Sequence, residues 1–252
     1  MPPVMAEIKI HCVYDEGSQP DTSLIGAKGW AVMVEADGQR TLFDTGLRGR
    51  YLRHNMACLD IEADSIDQVV ISHGSLDHMG GLDQFMTLRS KKVDVYAHLS
   101  AWSTKKVASK LVSDENEGGV VRTYVDDWKQ LSEHLWISAP VGPEANELLL
   151  VAVPDRARGA VVITACSHEG LLRSLEAVQA KFGKIRAVVG GAHLRKVKQP
   201  QVDEMARELV QTYGSPQLYL NGCTTPEGIQ KFRVALSKDG VKDFFVGDIL
   251  SF

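Results

Sequence analysis

The chain has 252 residues, with 28 Lys and Arg against 32 Asp and Glu and a formal net charge of −4. A slightly acidic chain without a basic block argues against nucleic-acid binding as its main task, and no apolar run approaches the roughly 20 residues that span a bilayer. Hydrophobic residues at 44%, with 22 glycines and 9 prolines, are ordinary globular composition and set fibrous and disordered classes aside. Residues Met1 to Glu7 show no charged segment leading into an apolar one, so no secretory signal is expected. The four cysteines, Cys12, Cys58, Cys166 and Cys223, form no CxxC pair, and a reducing, cytoplasmic setting is the expectation.

In chain order, Ala31–Glu35 and Thr41–Asp44 read as a hairpin turning at Asp37-Gly38. Gln68–Ser72 is a short β-branched run that stops at His73, and Lys92–Ala97 is a further strand. The stretch from Ser103 to Gly142 offers one clear element, a strand at Val120–Val125 after Gly118-Gly119. Glu147–Val153 and Ala160–Ala165 read as a second hairpin across the turn chemistry of Pro154 to Gly159. A helix opens at Leu171 and ends at Gly183, a strand follows at Ala187–Val189, and a second helix runs from Val202 to Tyr213. Leu218–Leu220 is a strand, and Thr225 with Pro226 reads as N-cap and first turn of a helix to about Ser237. Two strand-rich segments, each followed by helices, predict stacked sheets with helices outside. With no repeat, low-complexity tract or linker, residues 1–252 are expected to form a single domain.

The chemistry concentrates in Ser72-His73-Gly74-Ser75-Leu76-Asp77-His78-Met79-Gly80-Gly81. Two imidazoles and a carboxylate fall within six positions, directly after a buried strand, and these are the donors that divalent zinc takes at about 2.0–2.2 Å. This segment resembles the His-x-His-x-Asp-His signature of the metallo-β-lactamase superfamily. Further resemblances follow in the same order: Leu42-Phe43-Asp44-Thr45-Gly46 to the upstream Asp-Thr-Gly element, and Thr164 to Gly170 to the loop of the third motif histidine, here His168. Gly190-Gly191-Ala192-His193-Leu194 and Gly222-Cys223-Thr224-Thr225 are similar to the late motifs of the dihydropterin ribofuranosyl-aminobenzene phosphate synthase-like branch. The resemblance implies a four-layer αββα sandwich of the α/β (α+β) class.

Two positions depart from the pattern. Ser75 stands where the family has its second histidine, and Gly222, after Asn221, stands where it has the late one. A serine hydroxyl is a poor ligand beside neutral imidazole and glycine offers no side chain, so each of the two metal positions that the resemblance implies lacks one protein ligand. His73, Asp77, His78 and His168 remain, with His193 as a fifth, and three protein ligands plus water suffice for a catalytic zinc. One divalent ion is expected rather than two, zinc first, with iron or manganese as alternatives. Asp77 is either a ligand or the general base. Asp44 either stabilises its turn or orients a ligand histidine; Cys223 is either a replacement thiolate or, as the preferred reading, a small buried residue, and Cys166 is read as buried. Ser75, Asn221 and Cys223 are expected to line the site with Asp44. Arg195, Lys196 and Lys198, and Arg48, Arg50 and Arg53, read as solvated faces before anion-binding groups.

The expected function is that of a metal-dependent hydrolase acting on a small, phosphorylated or pterin-like molecule through a metal-bound water at an atypical, mononuclear site. Its rival is a ligand-binding or regulatory protein that keeps the fold without tight metal binding. The partner in either case is a small molecule, with neither nucleic acid nor membrane; the sequence gives no oligomeric state.

Overall fold

The computed structural model describes residues 6–103 and 112–252. Strands β1 (Lys9–Tyr14), β2 (Ala31–Ala36), β3 (Gln39–Phe43), β4 (Gln68–Val70), β5 (Val93–Ala97) and β6 (Val120–Tyr124) build the first sheet. Strands β7 (Lys129–Gln130), β8 (Leu135–Ile137), β9 (Leu150–Ala152), β10 (Ala160–Thr164), β11 (Ile185–Gly190), β12 (Gln217–Leu220) and β13 (Val241–Asp243) build the second. Strand β14 (Ile249–Ser251) returns to the first sheet, giving the orders β14-β1-β2-β3-β4-β5-β6 and β13-β12-β11-β10-β9-β8-β7. Both sheets are mixed in the same way. Pairing is antiparallel from β14 to β3 and from β7 to β10, then parallel from β3 to β6 and from β10 to β13.

The period-2 pattern of the strands sends alternate side chains into two different cores. Val32, Val34, Phe43, Val161, Ile163 and Val189 fill the layer between the sheets. Ala31, Met33 and Leu42 face the other way, toward helices α1 (Gly49–Cys58) and α3 (Leu82–Met86), which follow β3 and β4. Short helix α2 (Leu76–Met79) precedes α3, and α4 (Leu99–Trp102) and α5 (Asp114–Glu117) flank the residues left undescribed. Val162, Val188, Leu218 and Leu220 face α6 (Leu171–Phe182), α7 (Gln199–Gln211) and α8 (Pro226–Leu236). The result is the four-layer αββα sandwich.

The first hairpin turns where expected, with Asp37 at φ 54° and Gly38 at φ 76°, the pair of left-handed residues that a two-residue turn matching strand twist requires. The second hairpin pairs β9 with β10. Helix α7 starts three residues before the apolar pattern does, at Gln199, because the Gln201 side chain accepts the Lys198 N–H at 3.0 Å and caps the extra turn. The N-cap of α8 is as read: the Thr225 hydroxyl accepts the Gly228 N–H at 3.2 Å. The strand-rich reading of the first third omits β1, the short helices α2 and α3, and helix α1. Helix α1 buries only Gly49, Leu52, Asn55 and Met56, too sparse a stripe to announce itself. The expected strand 120–125 is present as β6, whereas 104–111 of the adjoining stretch lie outside the described residues, as do 1–5 of the start. Among the described residues, no helix is long and apolar enough to cross a membrane.

Candidate metal centre

Open α/β sheets expose their ligand-binding loops beyond the carboxyl ends of parallel strands. Here both parallel halves end at one place. Asp44 follows β3, His73 follows β4, Cys166 and His168 follow β10, His193 follows β11, and Asn221 and Cys223 follow β12. A hollow of about 250 Å³ at this place is lined by His73, Ser75, Asp77, His78, Cys166, His168, His193, Gly222 and Cys223, with Glu16, Lys28, Trp30 and Arg195. A second hollow, about 480 Å³, shares His73, Ser75, His168 and His193 and extends to Ser100, Glu144 and Ala145. Ser100 and Glu144-Ala145 stand on either side of the stretch from Ser103 to Gly142, whose described residues line neither hollow.

The histidines converge. His73 and His168 bring their Nε2 atoms to 3.1 Å, and the His73 ring lies 4.4 Å, centroid to centroid, from that of His78. The His193 ring lies tilted against that of His168, 4.6 Å between centroids. Asp77 lines the same hollow, its Oδ2 3.9 Å from Lys28 Nζ, while its backbone carbonyl accepts the Trp30 N–H. Among the described residues, the groups whose donor atoms come within 4.8 Å of one another are His73, Cys166 and His168, and Cys166, His193 and Cys223. Neither includes Asp77 or His78.

Behind the rings, Asp44 is fully buried. Its Oδ1 accepts the Ser72 N–H at 2.7 Å, and its Oδ2 accepts both the Ser72 hydroxyl and His78 Nδ1 at 2.7 Å. Asp44 therefore holds its own turn, at φ 63°, and orients His78. With Nδ1 committed, His78 points Nε2 at Cys166 Sγ, 3.2 Å away. Burial alone would lower His78, but the charge and hydrogen bond of Asp44 outweigh it, with Asp77 and Cys223 adding, and its pKa rises to about 9. Burial and the neighbouring imidazoles His78, His168 and His193 hold His73 well below the usual histidine range, so it is the neutral ring that a metal requires. Its Nδ1 meets the Ser72 hydroxyl at 2.9 Å.

A second buried carboxylate, Glu147, escapes the sequence reading. It accepts the backbone N–H groups of Cys166 at 2.8 Å, Ser167 at 3.0 Å and His168 at 2.9 Å, and the Thr164 hydroxyl at 3.1 Å. Within that loop Ser167 takes φ 57°, and His193 takes φ 43° in the next, conformations that side chains adopt at a cost of order 1–3 kcal/mol each. Gly190 stands at φ 124° with the position of a Cβ only 1.7 Å from the Thr164 carbonyl oxygen, which is why the His193 loop begins on glycine. Two of the remaining histidines have partners elsewhere: His98 Nδ1 caps α4 by accepting the Ser100 N–H, and His134 meets Asp37 at 2.7 Å. Cys166, read as a small buried residue, is 4% exposed and also lies 2.8 Å, sulfur to sulfur, from Cys223. The Cys223 thiol is drawn down to about 5 by its hydrogen bond with Cys166 against burial, with His193 and His78 assisting.

The two departures have physical consequences. Ser75 serves as the residue before α2, its N–H on the His73 carbonyl at 3.0 Å. At Gly222 a Cβ would lie 2.7 Å from Cβ of Glu16, so the space that a side chain there would need is already filled. The Gly222 N–H in turn donates to Asp15 Oδ1 at 3.0 Å, and Asp15, desolvated and held partly in check by the Gly17 and Gly222 N–H groups, has a pKa raised to about 7. Folded Asp15 binds its proton more tightly than the unfolded chain does. Folding therefore takes up a proton between about pH 4 and 7, and stability falls as pH rises through that window and levels off above it. The expected drop is up to about 4 kcal/mol. Urea melts of the native chain and of Asp15→Asn across pH 4–8 measure it: the native chain should lose stability more steeply than the variant between about pH 4 and 7, and equal slopes would assign the drop to other groups.

The family model for the metallo-beta-lactamase superfamily matches residues 25–177. An uncharacterized protein of Methanocaldococcus jannaschii is 25% identical over 190 residues, 66% of this chain and 72% of its own. The 7,8-dihydropterin-6-methyl-4-(β-D-ribofuranosyl)-aminobenzene-5′-phosphate synthase of the same organism is 23% identical over 231 residues, 74% of this chain and 78% of its own. Among solved structures, Tm1679, a metal-dependent hydrolase of the beta-lactamase superfamily, superposes with a TM-score of 0.76 at 24% identity, covering 96% of this chain and 98% of that one.

Proposed function

From the premise that the chain belongs to the metallo-beta-lactamase superfamily, we propose that it is a metal-dependent hydrolase of a small molecule bearing a phosphoryl or other anionic group. The observation that carries this reading is the approach of His73 and His168, whose Nε2 atoms stand 3.1 Å apart on the wall of a polar hollow. Two imidazole nitrogens at that distance can share one proton at most, and the low proton affinity of His73 leaves its lone pair available. The donor set fits a divalent ion of zinc type, with His73, His168, His78 and His193 as imidazole ligands and Asp77 as the carboxylate at hand. Such an ion, when bound, supplies Lewis acidity toward a scissile ester or phosphoryl oxygen and toward water. The chain's own residues do the rest. Asp44 fixes His78, Ser72 fixes His73, Asp77 takes the proton from the attacking water, and Lys28 and Arg195 draw the anionic group into the hollow. A phosphorylated, pterin-like substrate agrees with the likeness to the dihydropterin synthase.

A second reading, a ligand-binding protein without tight metal, is favoured by Ser75 and Gly222, which withhold two imidazoles. Plasma emission spectroscopy separates the two. One equivalent of zinc, iron or manganese in the native protein, held more weakly in His73→Ala, supports the enzyme. A native chain that carries no metal, and gains no thermal stability from any added, is the ligand-binding protein.

A further inference from the structure

We propose that this centre seats its ion on sulfur: Cys166 and Cys223 with His193 form the seat, and Cys166 joins it to the His73–His168 pair. The inference rests on the metal-centre reading above and adds which ions the centre accepts.

Three loops are latched to one another to form this seat. The Asn221 side-chain oxygen accepts the Cys223 N–H at 3.0 Å, and its Nδ2 donates to the Ala165 carbonyl at 3.4 Å, tying the two cysteine loops together. The Thr224 hydroxyl accepts the Ala192 N–H at 3.0 Å, which ties in the loop of His193. The two sulfurs are brought to 2.8 Å, and His193 Nδ1 stands 3.4 Å from Cys223 Sγ. Thiols are weak hydrogen-bond partners and gain little from such proximity. Two thiolates, by contrast, neutralise a dication outright and leave the imidazoles to bind in neutral form. The neighbouring position 222 cannot supply a ligand, because Glu16 fills its side-chain space. Cysteine, one residue on, is the donor that the turn presents instead. Softer donors shift selectivity toward zinc, cadmium and cobalt and away from manganese and magnesium.

The test is cobalt(II) titration of the reduced, metal-free protein under argon, followed by absorption. The expected spectrum shows an intense thiolate-to-cobalt charge-transfer band in the near ultraviolet, saturating with the visible bands of the ion. Cys223→Ser should lose most of that intensity, His73→Ala should keep it, and zinc but not manganese should displace the cobalt. Stoichiometric cobalt with visible bands and no charge transfer overturns the sulfur seat and leaves a metal centre on nitrogen and oxygen. Manganese displacing cobalt as readily as zinc does overturns it as well. No uptake of cobalt or zinc by the native protein overturns both readings. Because the native spectrum decides between these outcomes, a Cys223→Ser chain that fails to fold does not protect the proposal.

Discussion

Glu147→Ala is expected to cost about 3–5 kcal/mol of stability, most of what a domain with a total of roughly 5–15 kcal/mol can lose and remain folded. The side chain is 2% exposed and is the shared acceptor for three successive backbone N–H groups and a hydroxyl. Its removal strands the buried N–H groups of Cys166 and Ser167 and the partly buried one of His168, and leaves the Thr164 hydroxyl only Ser167, in a segment that already carries Ser167 in the left-handed region. Each stranded donor costs its desolvation, about 1–3 kcal/mol, less whatever a water entering the space restores. Glu147→Gln should fall between. Its one remaining oxygen can serve Cys166, Ser167 and Thr164 as Oε1 does now, while the amide nitrogen faces the His168 N–H, donor against donor. Guanidinium melts rank the three chains, and metal retention after dialysis reports on His168 separately. If alanine costs less than about 1 kcal/mol, the loop holds itself and Glu147 is a bystander.

The same carboxylate shows where sequence reading stops. The ligand-type residues around His73 were legible because they lie within six positions of one another, and a strand end followed by Gly80-Gly81 gives such a cluster a place to point. Alternation in Ala31–Glu35 and Ala160–Ala165, and cap chemistry at Thr225-Pro226, made most of the layered architecture legible as well. Glu147 carries no local sign, since its four partners lie 17 to 21 positions away and a single glutamate at a strand start is usually exposed. Read from its neighbours alone, Cys166 is a small apolar residue, and only the crossing from β10 to β12 sets it against Cys223, 57 positions on. Helix α1 went unread for the opposite reason. Its buried stripe includes Asn55, whose side chain donates to the Val13 and Ile25 carbonyls and accepts the Ile25 N–H, so a polar residue occupies what periodicity expects to be apolar. Local pattern carries the elements and short-range clusters. Contacts made across the sheets carry the rest of the site.

Asp44→Asn is expected to dissociate stability from metal binding, with the larger effect on the metal. In the native chain Oδ1 accepts the Ser72 N–H, and Oδ2 keeps the imidazole proton of His78 on Nδ1. An asparagine that retains the Ser72 N–H bond presents its amide nitrogen to His78 as a donor. Nδ1 must then accept, which moves the ring proton to Nε2, the nitrogen facing the Cys166 sulfur and the hollow. In the native chain a metal displaces the Nε2 proton while Asp44 keeps the other on Nδ1; in the variant the one ring proton sits on Nε2, and its loss would leave an imidazolate. Loss of a carboxylate behind a ligand histidine typically lowers metal affinity by about 10- to 100-fold, and the inverted tautomer should place Asp44→Asn at the far end of that range. Its stability should fall by only about 1–2 kcal/mol, because the amide still bonds Ser72 and His78 and only the carboxylate charge facing His78 is given up. Asp44→Ala lacks both the tautomer control and the packing, and should lose about 3–5 kcal/mol in addition to affinity. Competition of zinc against a chromophoric chelator gives the affinities, and melts of the metal-free chains give the stabilities. Asp44→Asn that binds zinc as tightly as the native protein would remove His78 from the ligand set and leave Asp44 a turn residue only.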